Sequence, residues 1–160
     1  MTGLNLTQLK YDVVEPALCA IGMNSTAALN LVTGTALAES GAVFVKQENG
    51  GPALGLWQVE PATEIDCWDN FLGFNTALAA QVKTLLQPYN TVAQRTAQLV
   101  ANLGYGAAVC RLRYRRARPP LPAWNDAAGM AAYHKQIYNT ALGAANAATN
   151  TPLFQQAIDA

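Results

Sequence analysis

The sequence predicts a mainly α fold. Ala, Leu, Gln and Asn dominate the composition, runs of β-branched residues are short, and helix start and stop signals recur along the chain. With 160 residues and 51% hydrophobic composition the chain can bury one core, and residues 1–160 read as a single domain without a linker or an internal repeat.

Taken in order, Thr7 can cap a first helix that breaks or tilts near Pro16. Asn24 or Ser25 caps a second, in which Leu29, Val32, Ala36 and Leu37 share a stripe at helical spacing before Gly41 stops it. From Gly41 to Gln58, "GAVFVKQENGGPALGLWQ" joins a short β-like run, a turn rich in Gly and Asn, and a second apolar run, which predicts a small β-hairpin or an irregular loop. Pro61 fits the first position of a third helix, with Glu64 and Asp66 favourable near its positive end. Asn75 opens a fourth, with Leu78, Val82, Leu85 and Leu86 facing inward until Pro88. Thr91 opens a fifth that ends around "LGYG", and a sixth runs from Ala107 to Arg116, where "RPPLP" stops it. Asp126 caps a seventh through "MAAYHKQIYN", and Thr151 with Pro152 starts a short last helix. The Ala/Asn stretch from Ala141 to Asn150 reads as a loop or a frayed helix end.

Only 12% of residues are charged, ten basic and ten acidic, so the chain as a whole has no field that singles out nucleic acid as a partner. The N-terminus lacks a basic segment of the signal-peptide kind. The first apolar run, Val13 to Met23, is interrupted by Glu15 and Pro16 and is shorter than the roughly 20 residues a membrane span needs. These features predict synthesis in the cytoplasm, with no signal peptide and no transmembrane segment. Cys19, Cys67 and Cys110 are odd in number and widely spaced, which argues for free buried thiols and against a disulfide framework or a zinc site. No metal or other cofactor is implied.

The candidate chemistry starts at "ALAESG", residues 36 to 41. An otherwise apolar helix ends there on Glu39, where the negative end of the helix dipole disfavours a carboxylate by a few tenths of a kcal/mol or more. Partial burial against Leu37, Leu56 or Trp57 would add to that. Both effects favour the neutral, protonated carboxyl, which is what a general acid requires. The alternative for "ESG" alone is an exposed last residue followed by an ordinary helix stop.

The continuation changes the balance. "ES" at 39 to 40 followed by "GLWQVEPAT" at 55 to 63 resembles the signature of the soluble-type lytic transglycosylases and their goose-type lysozyme relatives, part of the lysozyme-like superfamily. In that group Glu-Ser is followed, after a loop, by Gly-Leu-Met-Gln, two residues, and Pro-x-Thr. Here the interval from Glu39 to Gly55 is sixteen residues, Trp57 takes the Met slot, and Pro61 and Thr63 fall in register. The family's third element, Ala-Tyr-Asn-Ala-Gly, finds its nearest match in "RLRYRRARPPLPAW", with Tyr114 in the tyrosine position and Arg115 where Asn is usual. The resemblance covers residues 26–64 and, more loosely, 105–124. "AAYHKQIYNT" and "RPPLP" are also similar to segments of phage-encoded, virion-associated members.

The resemblance implies a lysozyme-like helical domain whose loop flanks an active-site cleft. It also implies cleavage of peptidoglycan glycan strands at the MurNAc-GlcNAc β-1,4 bond. Glu39 acts first as acid and then as base, giving a 1,6-anhydroMurNAc product without a carboxylate nucleophile. Ser40 and Gln58 orient the acid or the sugar, Tyr114 bonds to Glu39 or to the acetamido group, and Trp57 walls the pocket. A hydrolytic muramidase needs a second carboxylate, for which Glu48 and Glu60 are the candidates. A third reading is a virion structural or ejection component that kept the fold and lost catalysis, with other virion proteins as partners. For an enzyme, the resemblance implies delivery to the periplasmic cell wall from a phage particle, as a tail or internal ejection protein, or release as an endolysin.

Arg111, Arg115 and Arg118 recur at helical spacing beside Arg113 and Arg116. They could hold stem-peptide carboxylates or phosphates, or could form a solvated face. Trp68, Phe71, Leu72 and Phe74 read as core, and Trp124 as either core or sugar platform. His134, next to Lys135, reads as a surface helix residue with no catalytic part.

Overall fold

Ser25 and Gly41 bracket the helix around which the rest of the chain is arranged. In the computed structural model, which describes residues 3–139 and 146–160, the protein is mainly helical. The opening segment runs through α1 (Leu6–Gln8), a π-helical stretch (Leu9–Val14) and α2 (Glu15–Ala20). Asn5, not Thr7, caps it, its side chain accepting from Gln8 N at 3.0 Å. Pro16 does not break it. The Glu15 N–H reaches back to Lys10 O, and this wider turn absorbs the ring and the missing donor of the proline.

Helix α3 (Thr26–Ser40) starts at Ser25, whose Oγ accepts from Ala28 N at 3.1 Å. It stops at Gly41, which is left-handed with φ 62°. The Gly41 N–H donates to Leu37 O at 2.9 Å and that of Ala42 to Ala36 O at 3.2 Å, so the last carbonyls are paired. Every residue from Ala28 to Ala36 is buried, so the expected apolar stripe is here an apolar cylinder.

Residues 41–60 form an irregular loop with isolated antiparallel bridges, Lys46 to Leu54 and Leu54 to Val59. It is followed by α4 (Pro61–Asn70), α5 (Thr76–Lys83) and α6 (Val92–Ala97). Pro61 opens α4 as expected, and Thr91 caps α6 in a reciprocal box with Gln94. Helix α6 passes into a tight turn over Gln98–Val100. "LGYG" belongs to the next helix, α7 (Leu103–Arg115), because Asn102 accepts from Tyr105 N at 3.1 Å and starts a new helix there. Gly106 serves packing: a Cβ there would lie 2.9 Å from Trp57 Cε3.

Asp126 caps α8 (Ala127–Tyr133), which continues as a π-helical stretch, His134–Tyr138. The last helix, α9 (Ala147–Asp159), starts at Asn146 rather than Thr151, so Pro152 lies inside it. Of the Ala/Asn stretch, residues 141–145 lie outside the described residues, and Ala147 to Asn150 are helical. Helix α9 packs on α3 so closely that a Cβ on Gly34 would meet Phe154 Cδ1 at 2.3 Å. Buried Lys10 donates to Ala157 O at 2.7 Å, tying the first segment to the end of α9. Phe74 is 81% exposed and Trp124 55%, so Phe74 leaves the expected core group and Trp124 stands in solvent. No helix among the described residues is long and apolar enough to cross a membrane.

Glu64, expected only to complement a helix dipole, is fully buried. Its carboxylate accepts from Arg95 Nε at 2.6 Å and Nη2 at 3.1 Å, from Thr96 Oγ1 at 2.7 Å, and from the Tyr105 hydroxyl. Trp68 Nε1 donates in turn to Tyr105 Oη at 2.8 Å. The network joins α4 to α6 and α7. Arg95→Met leaves this carboxylate buried without its counter-ion, and we expect a loss of about 3–5 kcal/mol in urea unfolding.

Cys67 and Cys110 are buried and Cys19 is exposed, which corrects the expectation for Cys19. Burial pushes the Cys67 thiol up to about 11 and that of Cys110 higher still. A thiol reagent near neutral pH is therefore expected to label Cys19 alone in the folded protein and all three cysteines after unfolding.

Candidate active site

A cleft of about 630 Å³ opens where α3 ends. Glu39 enters it from the last turn of α3. Gln47, Glu48 and Gln58 come from the loop, Glu60 and Thr63 from the start of α4, Arg113 from α7, and Tyr138 and Asn139 from the end of the π-helical stretch. Phe44 and Ala53 supply apolar lining.

Glu39 is the most enclosed of the three acids. Its side chain is 13% exposed, whereas Glu48 and Glu60 are exposed. One oxygen is held: Glu39 Oε1 lies 2.8 Å from His134 Nε2. His134 is therefore no surface residue. Its ring is fully buried, stacked on Tyr138 with centroids 5.6 Å apart and planes 18° apart. The wider π turn, closed by Asn139 N–H to His134 O at 3.0 Å, carries both residues.

Ser40 faces away from the cleft. Its Oγ is buried and donates to Leu56 O at 2.7 Å, with Ala36 O at 3.1 Å, and so latches the loop to the helix end. Trp57 does not wall the pocket either. It is 1% exposed and its Nε1 donates to Val32 O at 2.9 Å. Its own carbonyl accepts from Tyr138 Oη at 2.7 Å. Trp57 thus positions the tyrosine while the neighbouring Gln58 reaches the cleft. Gln58 has φ 45°, a left-handed backbone that non-glycine residues seldom adopt, and its Nε2 donates to Gly55 O at 2.9 Å. The turn needs a glycine at 55, since φ is 73° and a Cβ would fall 2.2 Å from Leu99 O.

Tyr114 lies beneath the cleft rather than in it. The Thr35 hydroxyl gives its proton to Leu31 O at 2.8 Å, so the 2.7 Å contact between Thr35 Oγ1 and Tyr114 Oη has the phenol as donor. Its ring packs against Tyr133 and Tyr138, centroids 5.5 and 5.4 Å away. The tyrosine that lines the cleft is Tyr138. Arg113 lies over its ring at 3.7 Å and donates through Nη2 to its carbonyl at 2.7 Å. This places one cation among the acids. Of the other arginines, Arg116 pairs with Asp66 at 2.7 Å, Arg115 and Arg118 are exposed, and Arg111 is buried with Nε and Nη1 unpartnered.

Tyr138 and Asn139 in the cleft and His134 beneath it carry no role in the sequence reading, whereas Arg113, one of the arginines weighed there for stem-peptide carboxylates, does line the cleft. The signal for two of them was present, because "YN" at 138 to 139 carries the Tyr-Asn pair that "YR" at 114 to 115 lacks. Comparison with known protein families, with curated proteins and with solved structures finds no match to this chain.

Burial raises the phenols of Tyr114 and Tyr138 well above the usual range, and burial together with the Glu64 carboxylate does the same to Tyr105. A phenol raised in the folded state adds stability that is complete below the unfolded value near 10 and is lost as pH climbs above it. In an alkaline titration followed by the ultraviolet absorbance of ionised phenols, these three tyrosines are expected to ionise only together with loss of helical circular dichroism.

Proposed function

We propose that the protein cleaves peptidoglycan glycan strands at the MurNAc-GlcNAc β-1,4 bond, within a lysozyme-like helical domain and with Glu39 as acid and then base. The observation that carries this reading is convergence. Glu39, Gln58, Thr63 and the Tyr138-Asn139 pair match elements of the transglycosylase signature, come from separate parts of the chain, and line one cleft. After that pair the sequence continues Thr-Ala-Leu-Gly and departs from the family's Ala-Gly.

Protonated Glu39 gives its proton to the glycosidic oxygen as the C1–O bond breaks and the electron pair leaves with that oxygen. An oxocarbenium-like sugar remains. The resulting carboxylate takes the proton of the muramoyl C6 hydroxyl, whose oxygen closes on C1 to give the anhydro ring. Gln58, Thr63 and Asn139 offer hydrogen bonds to hydroxyl and acetamido groups. Arg113, held over the Tyr138 ring at 3.7 Å, offers a charge to a stem-peptide carboxylate.

Hydrolysis is the second reading, because Glu48 and Glu60 line the same cleft and either can activate water. A phage particle or an endolysin route would bring the enzyme to the wall.

Zymography on purified peptidoglycan with wild type and Glu39→Gln tests the assignment. The amide keeps the shape and cannot donate an acid proton, so we expect activity to fall by about 10² or more. Mass spectrometry of the released muropeptides is expected to find 1,6-anhydro ends. Reducing ends would move the assignment to hydrolysis, and equal clearing by the variant would remove Glu39 from the reaction.

A further inference from the structure

Among the described residues, the buried imidazole under Glu39 has one hydrogen-bond partner. His134 is fully buried between Tyr138 and Phe154, whose ring centroids each lie 5.6 Å away. Nε2 meets Glu39 Oε1 at 2.8 Å, while Nδ1 is buried with no hydrogen-bond partner among the described residues. A buried N–H without an acceptor is rarer and costlier than a bare lone pair. The ring proton therefore belongs on Nε2, and the imidazole donates to the carboxyl group.

We propose that His134 is a positioning residue for Glu39: it holds Oε1 through the whole proton cycle and leaves Oε2 as the oxygen that exchanges the proton with the sugar. This rests on the acid-then-base reading of Glu39. An N–H donor suits both halves of that cycle. When Oε2 carries the proton, Oε1 is a carbonyl oxygen and accepts from Nε2–H. When Oε2 has given its proton to the leaving oxygen, Oε1 is a carboxylate oxygen and still accepts. The side chain need not turn between the step that breaks C1–O and the step in which Oε2 takes the C6 hydroxyl proton. A Lys or Arg in the same place would favour the ionised acid throughout and oppose the first step. One stacked ring, Tyr138, and one tilted ring, Phe154, leave the imidazole little freedom, so the donor direction is fixed before substrate arrives.

The test compares wild type with His134→Phe, which keeps a ring in the stack and removes the donor, and with His134→Gln, whose amide can reach the same oxygen. Removing Nδ1 also removes an unsatisfied buried atom, so the Phe variant is expected to melt no lower than wild type. On soluble glycan strands we expect His134→Phe to lower kcat by about 10–100-fold with KM nearly unchanged, and His134→Gln to recover a large part of it. Nitrogen NMR of the resting wild type is expected to find the His134 proton on Nε2. Full activity of the Phe variant overturns the positioning role while leaving the acid-base reading intact. So does a proton on Nδ1, an absence of recovery with Gln, or a fall in kcat matched by a lowered melting temperature in both variants. A wild type that releases no muropeptides overturns the acid-base reading and this inference together.

Discussion

Helix α3 has no solvent-facing side from Ala28 to Ala36, and this one constraint orders the molecule. Other elements must surround it, and its small residues decide how closely. Gly34 admits the ring of Phe154 from α9, and Ala28 and Ala36 leave room elsewhere around the cylinder. A polar atom left unpaired inside the wrapping costs roughly 1–3 kcal/mol. Thr35 bonds back to Leu31 O and accepts from Tyr114, and Asn30 Nδ2 reaches Trp124 O at 2.8 Å, whereas Asn30 Oδ1 and Thr33 Oγ1 have no partner among the described residues. Beyond the first turn, where Thr26 is exposed, the wrapping thins again in the last turn, at Leu37, Ala38 and Glu39. The carboxyl group stands where the C-terminal end of the buried helix meets open space.

Around that point, hydrogen bonds between separate segments hold the cleft in shape before any ligand is present. Trp57 ties the loop to the middle of α3 through Val32 O, Tyr138 ties the π-helical stretch to the loop through Trp57 O, and Ser40 ties the loop to the end of α3 through Leu56 O. All three are buried, so breaking one leaves an orphaned group as well as a lost bond. The left-handed backbone at Gln58 persists because its neighbours on both sides are fixed in this way.

How much of this the sequence disclosed depended on whether the cause was local. Ser25, Gly41, Pro61, Thr91 and Asp126 act within one turn of where they stand, and each was legible as a cap or stop. The places that misled had non-local causes. Pro16 reads as a break unless the preceding turn widens. "LGYG" reads as a stop unless Gly106 is needed against Trp57, a contact made across the fold. His134 reads as surface because Lys135 follows it, yet a π turn directs it inward under Glu39. Trp57 looks suited to a sugar because it stands inside the signature, but Val32 O claims its N–H. Glu39 was legible because a carboxyl group at an apolar helix end is itself a local contradiction.

The two enclosed carboxyl groups separate structure from chemistry. Glu64 is fully buried and accepts four hydrogen bonds, two of them from a guanidinium, which satisfies a carboxylate on both oxygens. Nothing further can approach it, and its effect is to lock α4 against α6 and α7. Glu39 is nearly as enclosed on one side but has, among the described residues, one nitrogen donor, from His134, and its remaining side opens on a cleft. A carboxyl group held by one donor and otherwise uncommitted keeps an oxygen for another molecule. That asymmetry, more than burial alone, separates a carboxyl group left open to another molecule from one that holds helices together.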